Sequence, residues 1–142
     1  IDNSTLKNKE YYINTDMSFD FINDEVIGSY GLATAKLLDD TMFEGKETLG
    51  LKSGLIDNIN QQAGGILLPT DWMVIKSIET GVAVSSDITT FRAAVRAQAN
   101  TMVALIESAS DVDALAALYI YTNDDMDDAT PPVRPLGQFP TL

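Results

Sequence analysis

Any chemistry in this chain would have to be done by oxygen. Its 142 residues include 21 Asp and Glu but no His and no Cys. That composition excludes disulfide frameworks, thiol nucleophiles, Cys/His zinc sites, Ser-His-Asp triads and imidazole acid-base catalysis together. The densest acidic group is Asn123, Asp124, Asp125, Asp127 and Asp128. It has oxygens enough for calcium, but it lacks the Asp-x-Asp-x-Asp-Gly spacing and the distal Glu that organise a loop around the ion. A solvated acidic turn is the ordinary reading, and no metal site is assigned. Two carboxylates can also hydrolyse a glycosidic bond, yet with so many acids such pairs arise by chance and none is marked out. Gly64-Gly65 is not followed by the Gly-x-x-x-x-Gly-Lys-Ser/Thr pattern of a phosphate loop. The expectation is no enzyme, no catalytic residue and no cofactor.

Three further groups have types suited to binding. Trp72, the only tryptophan, could stack on a sugar or a base, although a tryptophan at a helix start more commonly plugs a core. Arg92 and Arg96 lie four apart and could clamp an anion. Their commoner fate is pairing within the chain, here with Asp71, Glu79 or Asp111. Tyr119, Tyr121 and Phe139 fall in a stretch that holds four of the five prolines, which reads equally as a frayed end or as an arm that docks on a partner.

These groups are positioned by residues 66–118, which the pattern of apolar residues and caps predicts to be a helix-turn-helix-turn-helix unit. Pro69 cannot donate a backbone hydrogen bond, and Thr70 and Asp71 favour helix starts, so a helix should begin near Trp72 with Trp72, Ile75 and Ile78 or Glu79 along one side. Gly81 should close it in the left-handed conformation. The longest helix follows Ser85-Ser86-Asp87, with Ile88, Phe91, Val95, Ala99, Met102, Leu105 or Ile106, and Ala109 in one stripe. Ser110 is expected to cap a last short helix, with Asp111 and Asp113 in its first turn.

Ahead of this unit, residues 51–63 keep helical spacing through Leu51, Leu55 and Ile59, and residues 32–40 are built of good helix formers. Residues 11–27 alternate partially (Met17, Phe19 and Phe21 against Ser18 and Asp20) and suggest one or two short strands broken near Asn23-Asp24. Gly28 and Gly31 are expected to bracket a turn, and residues 1–10 read as a flexible or partner-ordered tail. The expected class is mainly α with a small β N-terminal part, an α+β chain. Its divisions are a β or irregular segment at 1–49, a helical module at 50–118 packed around Trp72 and Phe91, and an extended Pro-rich arm at 119–142.

The formal charge is −12, and it is spread evenly, with 11 acids and 5 bases up to Ala63 and 10 acids and 4 bases after it. Such a surface repels phosphate backbones and anionic headgroups, so neither nucleic acid nor membrane is expected as a partner. No apolar run approaches the ~20 residues of a membrane helix, and residues 1–10 lack a signal-peptide layout. The chain begins at Ile1, and because initiator methionine is not normally trimmed before a bulky residue, processing or an upstream start is expected.

Leu67-Leu68, Thr70-Asp71-Trp72 and, after a spacer, Phe91-Arg92-Ala93-Ala94-Val95-Arg96 together resemble the C-terminal helical module of tailed-bacteriophage tail-fibre-associated and tail-fibre assembly proteins. The likeness covers roughly residues 50–118. Phe91 stands where that pattern usually has Tyr, Ala97 where an Asp often follows, and Phe139-Pro140 at best echoes its closing Trp-Pro. The resemblance implies packing rather than catalysis, with Trp72, Phe91, Arg92 and Arg96 as structural residues. It further implies a virion component of the tail, baseplate or fibre region, present as a homo-oligomer or in many copies among other phage structural proteins. An assembly chaperone absent from the mature particle is the alternative, and a carboxylate hydrolase of a surface glycan is a distant third.

Overall fold

The structure, a computed structural model, describes residues 1–122 and 132–142; the acidic cluster from Asn123 to Asp128 and Pro131 lie outside them. The fold is mixed α+β, with short antiparallel strands followed by helices. The chain divides into two compact units, Ile1–Leu51 and Lys52–Leu142.

The first unit is made of two-stranded pairings. Strand β1 (Tyr12–Ile13) pairs with β4 (Thr34–Ala35), β2 (Met17–Ile22) with β3 (Glu25–Tyr30), and β5 (Thr41–Phe43) with β6 (Lys46–Thr48). The β2–β3 hairpin turns at Asn23-Asp24, as the sequence suggested, and both residues have positive φ, 51° and 62°. Two consecutive residues in that region make the turn whose twist matches the flanking strands, and Asn and Asp tolerate it best after glycine. The β5–β6 hairpin uses the same device at Glu44 and Gly45, with φ of 49° and 78°.

Three expectations for this unit are corrected. Residues 32–40 form no helix, because Ala35 pairs with Tyr12 and Lys36 is held twice over. Its amide donates to Tyr11 O, and its Nζ donates to Lys9 O and Glu10 O at 2.6 and 3.0 Å. Long-range backbone bonds here override helix propensity. Gly28 lies inside β3 rather than at a turn, opposite Phe19, and a Cβ there would stand 2.9 Å from Met17 Sδ and 3.1 Å from the Phe19 ring. Residues 1–10 are tied down: the Asp2 amide donates to Gly28 O at 2.7 Å, and Thr5 Oγ1 to Tyr30 O at 2.6 Å. Ser4 N donates to Asp2 Oδ1 and holds that carboxyl below its ordinary range.

The second unit carries four helices among the described residues: α1 (Leu51–Leu67), α2 (Asp71–Thr80), α3 (Ser86–Ser108) and α4 (Val112–Ala117). Helix α1 buries Ile59 and Ala63 on the expected face, but it continues through Gly64-Gly65 to Leu67 before a single 3-10 turn at Leu68–Thr70. Gly81 closes α2 at φ 72°. The cap of α4 is Asp111 rather than Ser110, its carboxylate accepting from Ala114 N at 2.7 Å. From Val95 onward the α3 stripe is buried at Val95, Ala99, Met102 and Ile106, and Ala109, Val112 and Leu115 continue it.

Two packing expectations are also corrected. The core of this unit is not built around Trp72, which remains 55% exposed, nor around Phe91, which is only half-buried. The described part of the arm is not a frayed end. Leu136 is fully buried, its amide donates to Leu118 O at 3.0 Å, and Thr122 and Val133 exchange backbone bonds of 2.7 and 3.2 Å.

Candidate functional site

Arg92 organises the start of α2. Its Nη1 donates to Leu67 O at 2.9 Å and to Thr70 Oγ1 at 2.6 Å, and its Nη2 lies 2.8 Å from Asp71 Oδ1. Thr70 Oγ1 in turn donates to Leu67 O at 2.9 Å. The end of a helix leaves carbonyls without partners, and here a guanidinium fork satisfies one of them while it grips the next helix's first residue. The Arg92 side chain is 14% exposed and Thr70 is buried. Of the pairings expected for the arginines, that of Arg92 with Asp71 is the one formed; Arg96 is exposed and meets no carboxylate among the described residues.

This clamp fixes the rotation of α2, and the rotation explains the exposed tryptophan. Helix α2 has two stripes that could face inward. Thr70, Met73, Val74 and Ser77 form one, and they are buried or half-buried; Trp72, Ile75 and Ile78 form the other and face solvent. With Thr70 and Asp71 bound to Arg92, the first stripe turns inward. Leu68, in the 3-10 turn before α2, and Val82, just past its left-handed cap, are exposed as well. Within α2 the steps 72, 75 and 78 are the spacing of one helix face, with the exposed Glu79 beside them.

Beside this stripe, Trp72, Met73, Lys76 and Val82 line a shallow cleft of about 230 Å³, with Lys76 Nζ 5.8 Å from the Trp72 ring centre. A second cleft of about 300 Å³ is lined by Val74, Val84, Thr89, Arg92 and Arg96. The first cleft is lined by Ser77 and Ser85 as well as Lys76, and among the described residues no group of three or more acids is placed to hold a metal ion.

The aromatic residues near the C-terminus form a separate assembly. The Arg134 guanidinium lies 5.3 Å from the Tyr119 ring and 5.5 Å from that of Tyr121, and its Nε donates to Gly137 O at 3.1 Å. Gly137 sits at φ 83° against Gln98 of α3, whose Nε2 would be 2.6 Å from a Cβ. Phe139 is half-buried. Tyr119 and Tyr121 therefore hold the arm to its own unit. No protein-family model, curated protein or solved structure matches the chain.

The first unit carries a second exposed surface, which the sequence reading did not single out. In the β2–β3 register Phe19 faces Gly28 and Phe21 faces Val26, with Met17 opposite Tyr30. Alternation puts all six on one face. That face carries no charge, and its outer part is bare: Phe19, Phe21 and Val26 are each about two-thirds exposed or more. The alternation was visible in the sequence; that its outer part stays exposed was not. Next to the Met17 and Tyr30 end, Leu6, Lys9, Asn14 and Thr15 line a shallow cleft of about 360 Å³.

Proposed function

We propose that this chain is a structural subunit of a tailed-phage particle, in the tail, baseplate or fibre region, and that it works by packing its apolar faces against neighbouring proteins. The observation that carries the packing role is the pair of bare apolar surfaces, the β2–β3 face and the α2 stripe. An exposed face of this kind, edged by polar residues, is what a protein-protein contact leaves when its partner is absent. The virion setting is supported by the resemblance of the 67–96 region. Arg92 ties the separated parts of that motif into one unit by binding Leu67, Thr70 and Asp71, which gives the motif a packing rationale.

The test is quantitative peptide mass spectrometry on density-purified particles and on the lysate they came from. The structural role predicts this chain in the particles at a fixed ratio to the other components. Detection only in the lysate would overturn it and leave the assembly-chaperone reading, in which the same faces bind a fibre transiently.

A further inference from the structure

We infer that the outer edge of β2 pairs with the same edge of a second copy of this chain, antiparallel and about a two-fold axis at Phe19, to make one four-stranded sheet. The inference rests on the reading of the protein as an assembly subunit and names one of its partners. Its geometry comes from the hairpin alone.

The edge is open, and its hydrogen-bonding groups are in register. Gly28 O accepts from Asp2 N, outside the hairpin, so Gly28 and the opposite Phe19 form a pair whose backbone groups point away from each other. Two residues along on either side, Met17 with Tyr30 and Phe21 with Val26 do the same. On the β3 side, Asp2 N and Thr5 Oγ1 already occupy Gly28 O and Tyr30 O. On the β2 side, the N–H and C=O groups of Met17, Phe19 and Phe21 have no second strand beside them among the described residues, and residues 18–22 are exposed. Proteins ordinarily blunt such an edge with Lys, Pro, a bulge or a short strand. β2 runs for six residues with neither Lys nor Pro, and its register with β3 is unbroken. Its one charge, Asp20, belongs to the face opposite Phe19 and Phe21.

What lies opposite the acids selects the copy and the register. An added strand bonds this edge only where its own outward residues meet Met17, Phe19 and Phe21. β2 meets that condition for itself when Phe19 faces its own copy and Met17 faces Phe21, which pairs all three residues of each edge. Asp20 then stands opposite Ser18, and Asp16 opposite Ile22. Moving the axis to Ser18 or to Asp20 leaves only two of the three paired within β2 and sets acid against acid, Asp16 facing Asp20 or Asp20 facing its own copy. A parallel pairing in register would place Asp16 and Asp20 each against its own copy. Like charges directly opposite destabilise a sheet, and of these arrangements only the one centred on Phe19 avoids them. Its nearest acids across the seam are diagonal neighbours, about 7–8 Å apart, close to the screening length of about 8 Å at physiological salt. The uncharged face then runs on across both copies, and a marginal two-stranded hairpin becomes part of a larger sheet.

Cross-linking reads this register directly, because the chain has no Cys of its own. Thiols introduced as Phe19→Cys would sit in a hydrogen-bonded antiparallel pair with Cα atoms about 5.5 Å apart, inside the range of about 4.4–6.8 Å that a disulfide spans. Those of Phe21→Cys would lie four residues apart along the seam, roughly 14 Å. Under mild oxidation Phe19→Cys should give a covalent dimer and Phe21→Cys should not, whereas Phe21→Cys mixed with Met17→Cys should give a dimer of one copy of each. Sedimentation velocity should find the wild type dimerising as concentration rises. Phe19→Pro removes an outward N–H that β3 does not use, and it should associate about tenfold or more weakly than Phe19→Ala, which keeps that donor. Circular dichroism checks that every variant keeps its helices. A wild type that stays monomeric overturns the inference and leaves the edge to a strand of another protein. It is equally overturned by a Phe21→Cys chain that cross-links as fast as Phe19→Cys, by a mixture that gives no dimer of one copy of each, or by Phe19→Pro and Phe19→Ala chains that associate alike. If the contact fails in this way while particles hold the chain at a fixed ratio, the proposed function stands without it.

Discussion

The two units bury their apolar residues in opposite ways. In the second unit Ile59, Val95, Met102, Ile106, Leu115 and Leu136 are all essentially inaccessible, drawn from three helices and the C-terminal arm. In the first, Tyr11 is the one large side chain that is buried among the described residues, while Phe19, Phe21, Met42 and Phe43 lie open. The difference is one of what holds each together. A layered helical unit is held by side chains removed from water, whereas two-residue turns set hairpin geometry through the backbone and leave the faces uncovered. An isolated hairpin is marginal without a layer on its apolar face. The second unit therefore has an apolar core to hold it together, whereas the first leaves its apolar faces open.

The largest effect should come from the arm that the helical unit has taken into its core. Leu136→Ala should cost about 2–5 kcal/mol of unfolding free energy, read as a drop in the urea midpoint of the helical signal. Phe19→Ala, made in the hairpin for comparison, should shift it by less than about 0.5 kcal/mol in the dilute chain. A large Phe19 effect would erase the contrast. Removal of residues 132–142 should likewise destabilise the helices, which loss of a frayed end would not do.

Next in size is Arg92→Ala, which strips Leu67 O, Thr70 Oγ1 and Asp71 of their shared donor. About 1.5–3 kcal/mol is expected in the same unfolding experiment, and Arg92→Lys should restore only part of it, since one ammonium cannot span the three acceptors. The exposed Arg96→Ala should be near neutral. If the two arginines cost the same, the clamp is not what sets α2. Asp111→Ala should come last, at about 1 kcal/mol, through loss of the bond to Ala114 N at the start of α4.

Much of the second unit was legible because helix periodicity and caps are local. The stripe Val95, Ala99, Met102 and Ile106 and the left-handed Gly81 follow from spacing, while Asp71 was one of three acids left open as partners for the arginines. The face that α2 buries did not, because Met73-Val74 and Trp72-Ile75 both satisfy a helical stripe and only a bond from residue 92 chooses between them. Leu136 was hidden for a related reason: in a proline-rich segment with no period, burial depends wholly on where the chain returns. In the first unit the Asn23-Asp24 turn was readable from residue type. Residues 32–40 were misjudged because Tyr11 and Tyr12, far away in sequence, capture Ala35 and Lys36 through the backbone.

The contrast between the units is tested most directly by native-state hydrogen exchange on the full chain in dilute solution. The account predicts slow exchange throughout α3. It predicts fast exchange across β2 and β3. Equal protection of β2–β3 and α3 in the dilute chain would contradict it, because the hairpin would then be as complete on its own as the helical core.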